Sequence, residues 1–264
     1  MSPSDLEGKT YGPMGWRIDP AAVADYVRIT GDDPERWAGH APPGFAAGAL
    51  FVVAPELLDE LFGRSVVHGE QSFRWHRNLS VGARLQVSGT VGRVRERGGV
   101  HFVTFDMRVT DESDPVLDGK SLFLVSGESP PAVQAGLEHS EPAHSHDGGP
   151  MNGEVSASRA DLVRYASATR DWNPVHWDHE AGVAAGFPGV VVHGLLQAGW
   201  AMRAGSAGTA SNRPFSSGRF RFRNPMLPAH PAKVTVERSG RTVEISIADQ
   251  DLEYLSATVE LVDE

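Results

Sequence analysis

With 264 residues and 40% hydrophobic content, the chain can fill one large core or two of ordinary size. Its formal charge of -10 at pH 7 repels nucleic acid and anionic membranes, and the absence of cysteine removes disulfides, thiolate zinc sites and a cysteine nucleophile at once. The start, Met1-Ser2-Pro3-Ser4-Asp5-Leu6-Glu7-Gly8, lacks the basic and apolar pattern of a signal peptide. No later run approaches the ~20 apolar residues of a membrane helix, so a cytoplasmic location is expected.

In chain order, Asp19-Pro20 supplies a capping residue and a helix-starting proline, and the spacing predicts a helix to Ile29 with Val23, Tyr26 and Val27 on its buried face. Beyond Pro42-Pro43-Gly44, the run Phe45 to Leu61 is apolar on most sides, as a helix wrapped by a sheet would be, with Pro55 expected to interrupt or end it. Strands are expected at Val66 to Arg74, Arg84 to Val94, Val100 to Val109 and Leu117 to Val125, where Leu85, Val87 and Val91 alternate with Gln86, Ser88 and Thr90.

A stretch dense in Pro, Gly, Ser and His, residues 127–153, then reads as a linker between a first unit, 1–126, and a second, 154–264. His139, His144 and His146 fall in it without a scaffold that would make them a metal site. Ser158 and Asp161 have capping-box spacing ahead of Leu162, Val163, Tyr165 and Ala166, which form the expected buried face. An almost uncharged helix follows at Gly194 to Ala204, then strands at Gly218 to Arg223, Ala232 to Glu237, Thr242 to Ala248 and Tyr254 to Leu261. Helix patterns followed by runs of strands, twice over, predict an α+β protein. Each of two related units would wrap an antiparallel sheet around one helix, the two sheets meeting side by side.

Between the second unit's helices lies Asp171-Trp172-Asn173-Pro174-Val175-His176, an irregular segment stiffened by its proline. A carboxylate and an imidazole held together there make a proton-transfer pair, because one accepts a proton or orients water while the other titrates near neutrality. Asn173 suits holding the turn better than reacting. For an isolated Asp and His, a capped turn with a surface histidine is the stronger reading. What shifts the balance is His193-Gly194, where a glycine at a helix start can offer its backbone N–H to an oxyanion and let a flat carbonyl approach.

Tyr165, the D-x-N-P-[LIV]-H pattern at 171–176 and His193-Gly194-Leu195 together resemble the signature of the MaoC-like (R)-specific enoyl-CoA hydratases and dehydratases, a hot-dog-fold family. The first half is similar to the degenerate N-terminal domain of two-domain members. Thr30-Gly31-Asp32-Asp33-Pro34 echoes the motif, the Asn is missing, and neither Trp37 nor His40 restores the histidine. Ala41-Pro42-Pro43-Gly44-Phe45 and His68-Gly69-Glu70-Gln71-Ser72-Phe73 also resemble that domain.

The resemblance implies a double hot-dog forming an internal pseudo-dimer, with an acyl-binding first half and one active site in the second. Asp171 and His176 would be the catalytic pair, and Gly194, Asn173 and His193 would serve the oxyanion and the substrate. The reaction would be reversible hydration of enoyl thioesters to (3R)-3-hydroxyacyl thioesters. The acyl group would ride on CoA or acyl carrier protein, with no metal or other cofactor, and further dimerisation is common in the family. A hot-dog acyl thioesterase and a non-catalytic acyl-thioester-binding subunit are the competing readings. Two positions depart from the family pattern: Arg170, often Gly, and Met202, Ser in some members.

Overall fold

In the computed structural model, residues 2–61, 64–127 and 153–262 are described. The predicted linker, with His139, His144 and His146, lies almost wholly outside them.

The first half runs β1 (Thr10–Arg17), α1 (Pro20–Thr30), β2 (His40–Ala41), α2 (Ala47–Glu60), β3 (Ser65–Trp75), β4 (Leu79–Ser80), β5 (Arg84–Arg97), β6 (Val100–Asp111) and β7 (Asp114–Ser126). The second runs β8 (Glu154–Val155), α3 (Arg159–Thr169), α4 (His179–Ala184), α5 (Gly194–Gly205), β9 (Phe215–Phe222), β10 (Ala232–Ser239), β11 (Thr242–Ala248) and β12 (Glu253–Leu261). Ten strands form one sheet in the order β1-β5-β6-β7-β3-β9-β12-β11-β10-β8, while β2 and β4 pair separately. The two half-sheets therefore join edge to edge, through antiparallel pairing of β3 with β9 from Glu70↔Arg221 to Arg74↔Ser217. Glu70 reinforces the seam by accepting from Arg219 Nη2 at 2.8 Å and Arg221 Nε at 3.2 Å.

The helix starts follow the expected chemistry. The Asp19 carboxylate accepts from the Ala21 and Ala22 amides, and Ser158 and Asp161 close a reciprocal capping box. Val163 is a correction, being 44% exposed. The buried face of α3 runs through Leu162, Tyr165, Ala166 and Thr169, and Val163 is a quarter-turn off it. Pro55 is a second correction, since α2 continues through it to Glu60. The missing N–H removes one helical hydrogen bond, but Leu50, Val53, Ala54 and Leu57 are all at most 1% exposed, and that packing holds the helix. Strand β1 and helix α4 were not anticipated; Gly12, Pro13 and Gly15 hide the alternation of β1.

The halves interlock. A Cβ on Gly48 of α2 would sit 3.6 Å from the Thr169 carbonyl of α3, and one on Gly199 of α5 would meet the Tyr26 hydroxyl of α1 at 2.5 Å. Each central helix thus rests on the first helix of the other half, and the Tyr26 and Tyr165 rings lie 5.9 Å apart. Trp75 and Trp200 are core residues, as expected.

Candidate active site

The segment after α3 is shaped by short-range bonds. Arg170 caps the helix in the left-handed region at φ 68, a conformation that costs a non-glycine residue about 1–2 kcal/mol. Asn173 Oδ1 accepts from the Val175 amide at 3.4 Å and opens a single 3-10 turn, Pro174–His176. Its role is to hold the turn, as its sequence position suggested. The Val191 amide donates to the Val175 carbonyl at 3.1 Å, tying this turn to the strand-like approach to α5.

That tie brings three side chains together. The Asp171 carboxylate and one nitrogen each of His176 and His193 lie within 4.8 Å of one another, the only such His/acid cluster among the described residues. Asp171 is 5% exposed, and burial pushes its carboxyl up to about 7, opposed by a hydrogen bond from the Asn173 backbone. His176 Nδ1–H donates to the Val191 carbonyl at 2.8 Å, so its Nε2 carries the lone pair in the neutral ring. Burial also pushes its pKa down to about 4, and the ring is neutral at pH 7.

His193 has no exposed surface. Its Nε2–H donates to the Asp171 carbonyl at 3.3 Å, its ring stacks on His176 at 3.8 Å and 25°, and burial drives its pKa down. It holds Asp171 and His176 in place from behind. The face-to-face stack points the in-plane lone pairs of the two rings side by side rather than at one centre. That is poor geometry for both rings to ligate one ion.

Gly194 begins α5, and the side chain of His193 before it makes no cap. The Leu196 and Gln197 amides donate to the His193 carbonyl at 3.1 and 3.2 Å, so those of Gly194 and Leu195, beside His193, have no intrahelical acceptor at the positive end of the helix dipole. A side chain at 194 would strike the Phe222 ring at 2.8 Å. Sequence reasoning did not find Phe222 or the Val191 carbonyl as site-shaping groups, the latter because a backbone atom leaves no residue-type signal. Trp172 and Trp177, 51% and 46% exposed, flank the segment and are joined by an indole N–H to the Trp172 carbonyl at 3.2 Å. Met202 is buried in α5 and offers no hydroxyl. A concavity of about 1010 Å³ lies on the outer sheet face among Lys120, Arg219 and Glu244. None of the cluster residues lines it, and its charged walls do not suit an acyl chain.

The first half keeps the frame of this site without its chemistry. The Thr30 and Thr169 hydroxyls donate to the Tyr26 and Tyr165 carbonyls at 2.9 and 2.8 Å, and Gly31 caps α1 at φ 66 as Arg170 caps α3. Asp32 follows as Asp171 does, but Arg36 then carries the loop to the far end of α5, donating to Thr209 Oγ1 and the Ser211 carbonyl at 3.0 Å each. No histidine is brought to Asp32 in a cluster of this kind among the described residues.

Comparison with known proteins bears on the family and the fold. Residues 142–258 match the model of the MaoC like domain, and residues 33–118 match the FAS1-like dehydratase domain region. The chain is 28% identical over 224 residues to peroxisomal multifunctional enzyme type 2 of Drosophila melanogaster, covering 75% of this chain and 37% of that one. It is 37% identical over 141 residues to a UPF0336 protein of Saccharopolyspora erythraea, covering 46% of this chain and 88% of the relative. The structure of HtdX from Mycobacterium tuberculosis superposes with a TM-score of 0.71 at 21% identity, over 96% of this chain and 100% of that one. Another protein of that organism, described as a double hotdog fold, does so at 0.64 and 13% identity, over 99% and 98%. The chain belongs to the MaoC-like dehydratase family, as a double hot-dog member whose motif is complete only in its second half.

Proposed function

We propose that the protein catalyses the reversible hydration of trans-2-enoyl thioesters to (3R)-3-hydroxyacyl thioesters, with the acyl group carried on CoA or on acyl carrier protein. The second unit, 154–264, supplies the chemistry, and the first, 1–126, shapes the acyl site. The observation that carries this reading is the convergence of the site: the Asp171 carboxylate and a ring nitrogen each of His176 and His193 lie within 4.8 Å of one another, and His176 commits its Nδ1–H to the Val191 carbonyl, which leaves Nε2 to take a proton.

In dehydration, His176 Nε2 takes the C2 proton. The Gly194 N–H receives the charge developing on the thioester oxygen, and Asp171 gives its proton to the departing 3-hydroxyl. Water leaves, with His176 charged and Asp171 ionised. A proton returned from His176 to Asp171, directly or through water, restores the starting state. Hydration is the same sequence reversed, with the Asp171 carboxylate taking a proton from the water that adds to C3. A pair this close together, within 4.8 Å, suits addition of both groups to one face of the double bond. Only protons and water move, so the scheme calls on no metal or redox cofactor.

The test is a panel of enoyl-CoA and enoyl carrier-protein substrates, scored by loss of enoyl absorbance and by product chirality. Formation of the 3R product is expected. Thiol release without hydration would replace this reading with thioester hydrolysis, and binding without turnover would replace it with a non-catalytic acyl-binding role.

A further inference from the structure

The seam of β3 with β9 relates the two halves residue by residue. Its five pairs, Glu70↔Arg221 to Arg74↔Ser217, are centred on Ser72↔Arg219, and an antiparallel pair has a two-fold axis at its centre. His68 and Phe215 each stand four residues before that centre, and Trp75 and Phe222 each stand three after it. Each strand also bulges at the equivalent place, Gly69 of β3 against β7 and Ser216 of β9 against β12. His68 with Phe222, and Phe215 with Trp75, are therefore one ring pair occurring twice. The centroids lie 5.0 Å apart in the first pair and 6.0 Å apart in the second.

The two ends differ in what they leave open. Trp75 lies against the entry to α2, where its indole N–H donates to the Pro43 carbonyl at 3.2 Å. It and Phe215 are 4% and 1% exposed. Phe222 lies against the entry to α5, where a Cβ on Gly194 would meet its ring at 2.8 Å. Phenylalanine lacks the second ring and the N–H of an indole, and here His68, Phe222, Gly194 and His176 are all half-buried. His68, from the first half, is not poised for proton transfer. Its Nε2–H donates to the Glu70 carbonyl at 3.1 Å, the Gln71 side chain is a second partner, and burial pushes its pKa down to about 4. What it offers the second half is a neutral ring, held between Phe123 at 4.9 Å and Phe222.

We propose that His68 and Phe222 form the rim of the substrate opening beside Gly194, and that Trp75 and Phe215 are the same rim closed over the first half. The first half thus lacks both the complete motif around Asp32 and an opening to it, and it contributes a positioning residue, His68, to the site of the second. The bulk at position 222 sets whether an acyl thioester reaches the Gly194 N–H. This rests on the thioester reading of the site, but not on which reaction follows binding.

Phe222→Trp copies the closed end into the open one. We expect butyryl-CoA, a saturated thioester that cannot be hydrated, to bind at least about tenfold more weakly in calorimetry. KM for crotonyl-CoA should rise by a similar factor with kcat changed less than about threefold, the mark of lost binding rather than lost chemistry. His68→Phe, which copies the other ring, should act in the same direction. Trp75→Phe, at the closed end, should leave both constants unchanged and the binding stoichiometry at one. If Phe222→Trp does not fold, Phe222→Leu decides by widening the rim: it should favour the bulkier 2-methylbutyryl-CoA over butyryl-CoA at least about threefold more than the native protein does. Native affinity in Phe222→Trp, or an unchanged ratio in Phe222→Leu, would overturn the proposal. So would a fall in kcat at constant KM, which would mean that Phe222 only supports α5. A native protein that binds butyryl-CoA yet hydrates no enoyl thioester would refute the hydration and leave the rim standing.

Discussion

Asp171→Asn separates the chemistry of the site from its cost to the fold. The buried carboxyl titrates at about 7 in the folded protein, against an ordinary value near 3.9. Because the folded pKa is raised, stability is greatest below about pH 4, falls as pH rises through the window from 4 to 7, and levels off above it. Three pH units of unequal proton binding amount to about 4 kcal/mol at most. His176 and His193 act with the opposite sign: their folded pKa values are depressed, so their contribution is present above pH 6.5 and is lost as pH falls toward 4. That contribution is common to both proteins and cancels in the comparison. Asparagine keeps an oxygen for the Asn173 amide and never ionises. The variant should therefore match the native protein in urea midpoint near pH 4.5 and exceed it at pH 8 by up to about 4 kcal/mol, while hydrating crotonyl-CoA about 10²–10⁴ times more slowly. A stability difference independent of pH between 4.5 and 8 would show that Asp171 ionises normally and would remove its claim to be the acid.

Gly194→Ala should displace Phe222 or the start of α5. This predicts a loss of about 1–3 kcal/mol in urea titration and at least about a tenfold fall in kcat. Adding Phe222→Leu should recover stability more than activity. The pH profile of kcat/KM for dehydration should rise as His176 loses its proton near 4 and fall above about 7 as Asp171 ionises; a profile flat through 7 would contradict the assignment of the acid. Gly44→Ala should lose about 1–3 kcal/mol by collision with the Tyr26 hydroxyl and Met202, and Tyr26→Phe in the same chain should return part of it in thermal unfolding.

The segment 171–176 and its partner Gly194 were legible from residue type alone. A D-x-N-P-x-H pattern and a glycine at the start of an uncharged helix are chemical signals that do not depend on distant neighbours. The same holds for the caps at Asp19 and Ser158, the strand alternation in β5 and the loss of the motif around Asp32. Helix length and face were less secure. Pro55 and Val163 were misread because local rules ignore how much packing surrounds α2 and which part of the circumference of α3 meets the other half.

Only the tertiary structure brought the candidate pair together and set what surrounds it. The Val191 carbonyl fixes the proton on His176 Nδ1, His193 turns out to be a buried support, and the seam of β3 with β9 makes one sheet of two. None of these is written in the residue types of the motif, because a pKa and a tautomer are set by burial and by backbone atoms supplied from elsewhere in the chain. The sequence by itself determined which groups are available for proton transfer. The fold set their surroundings, by burying Asp171, half-burying His176 and giving His176 Nδ1 a carbonyl partner.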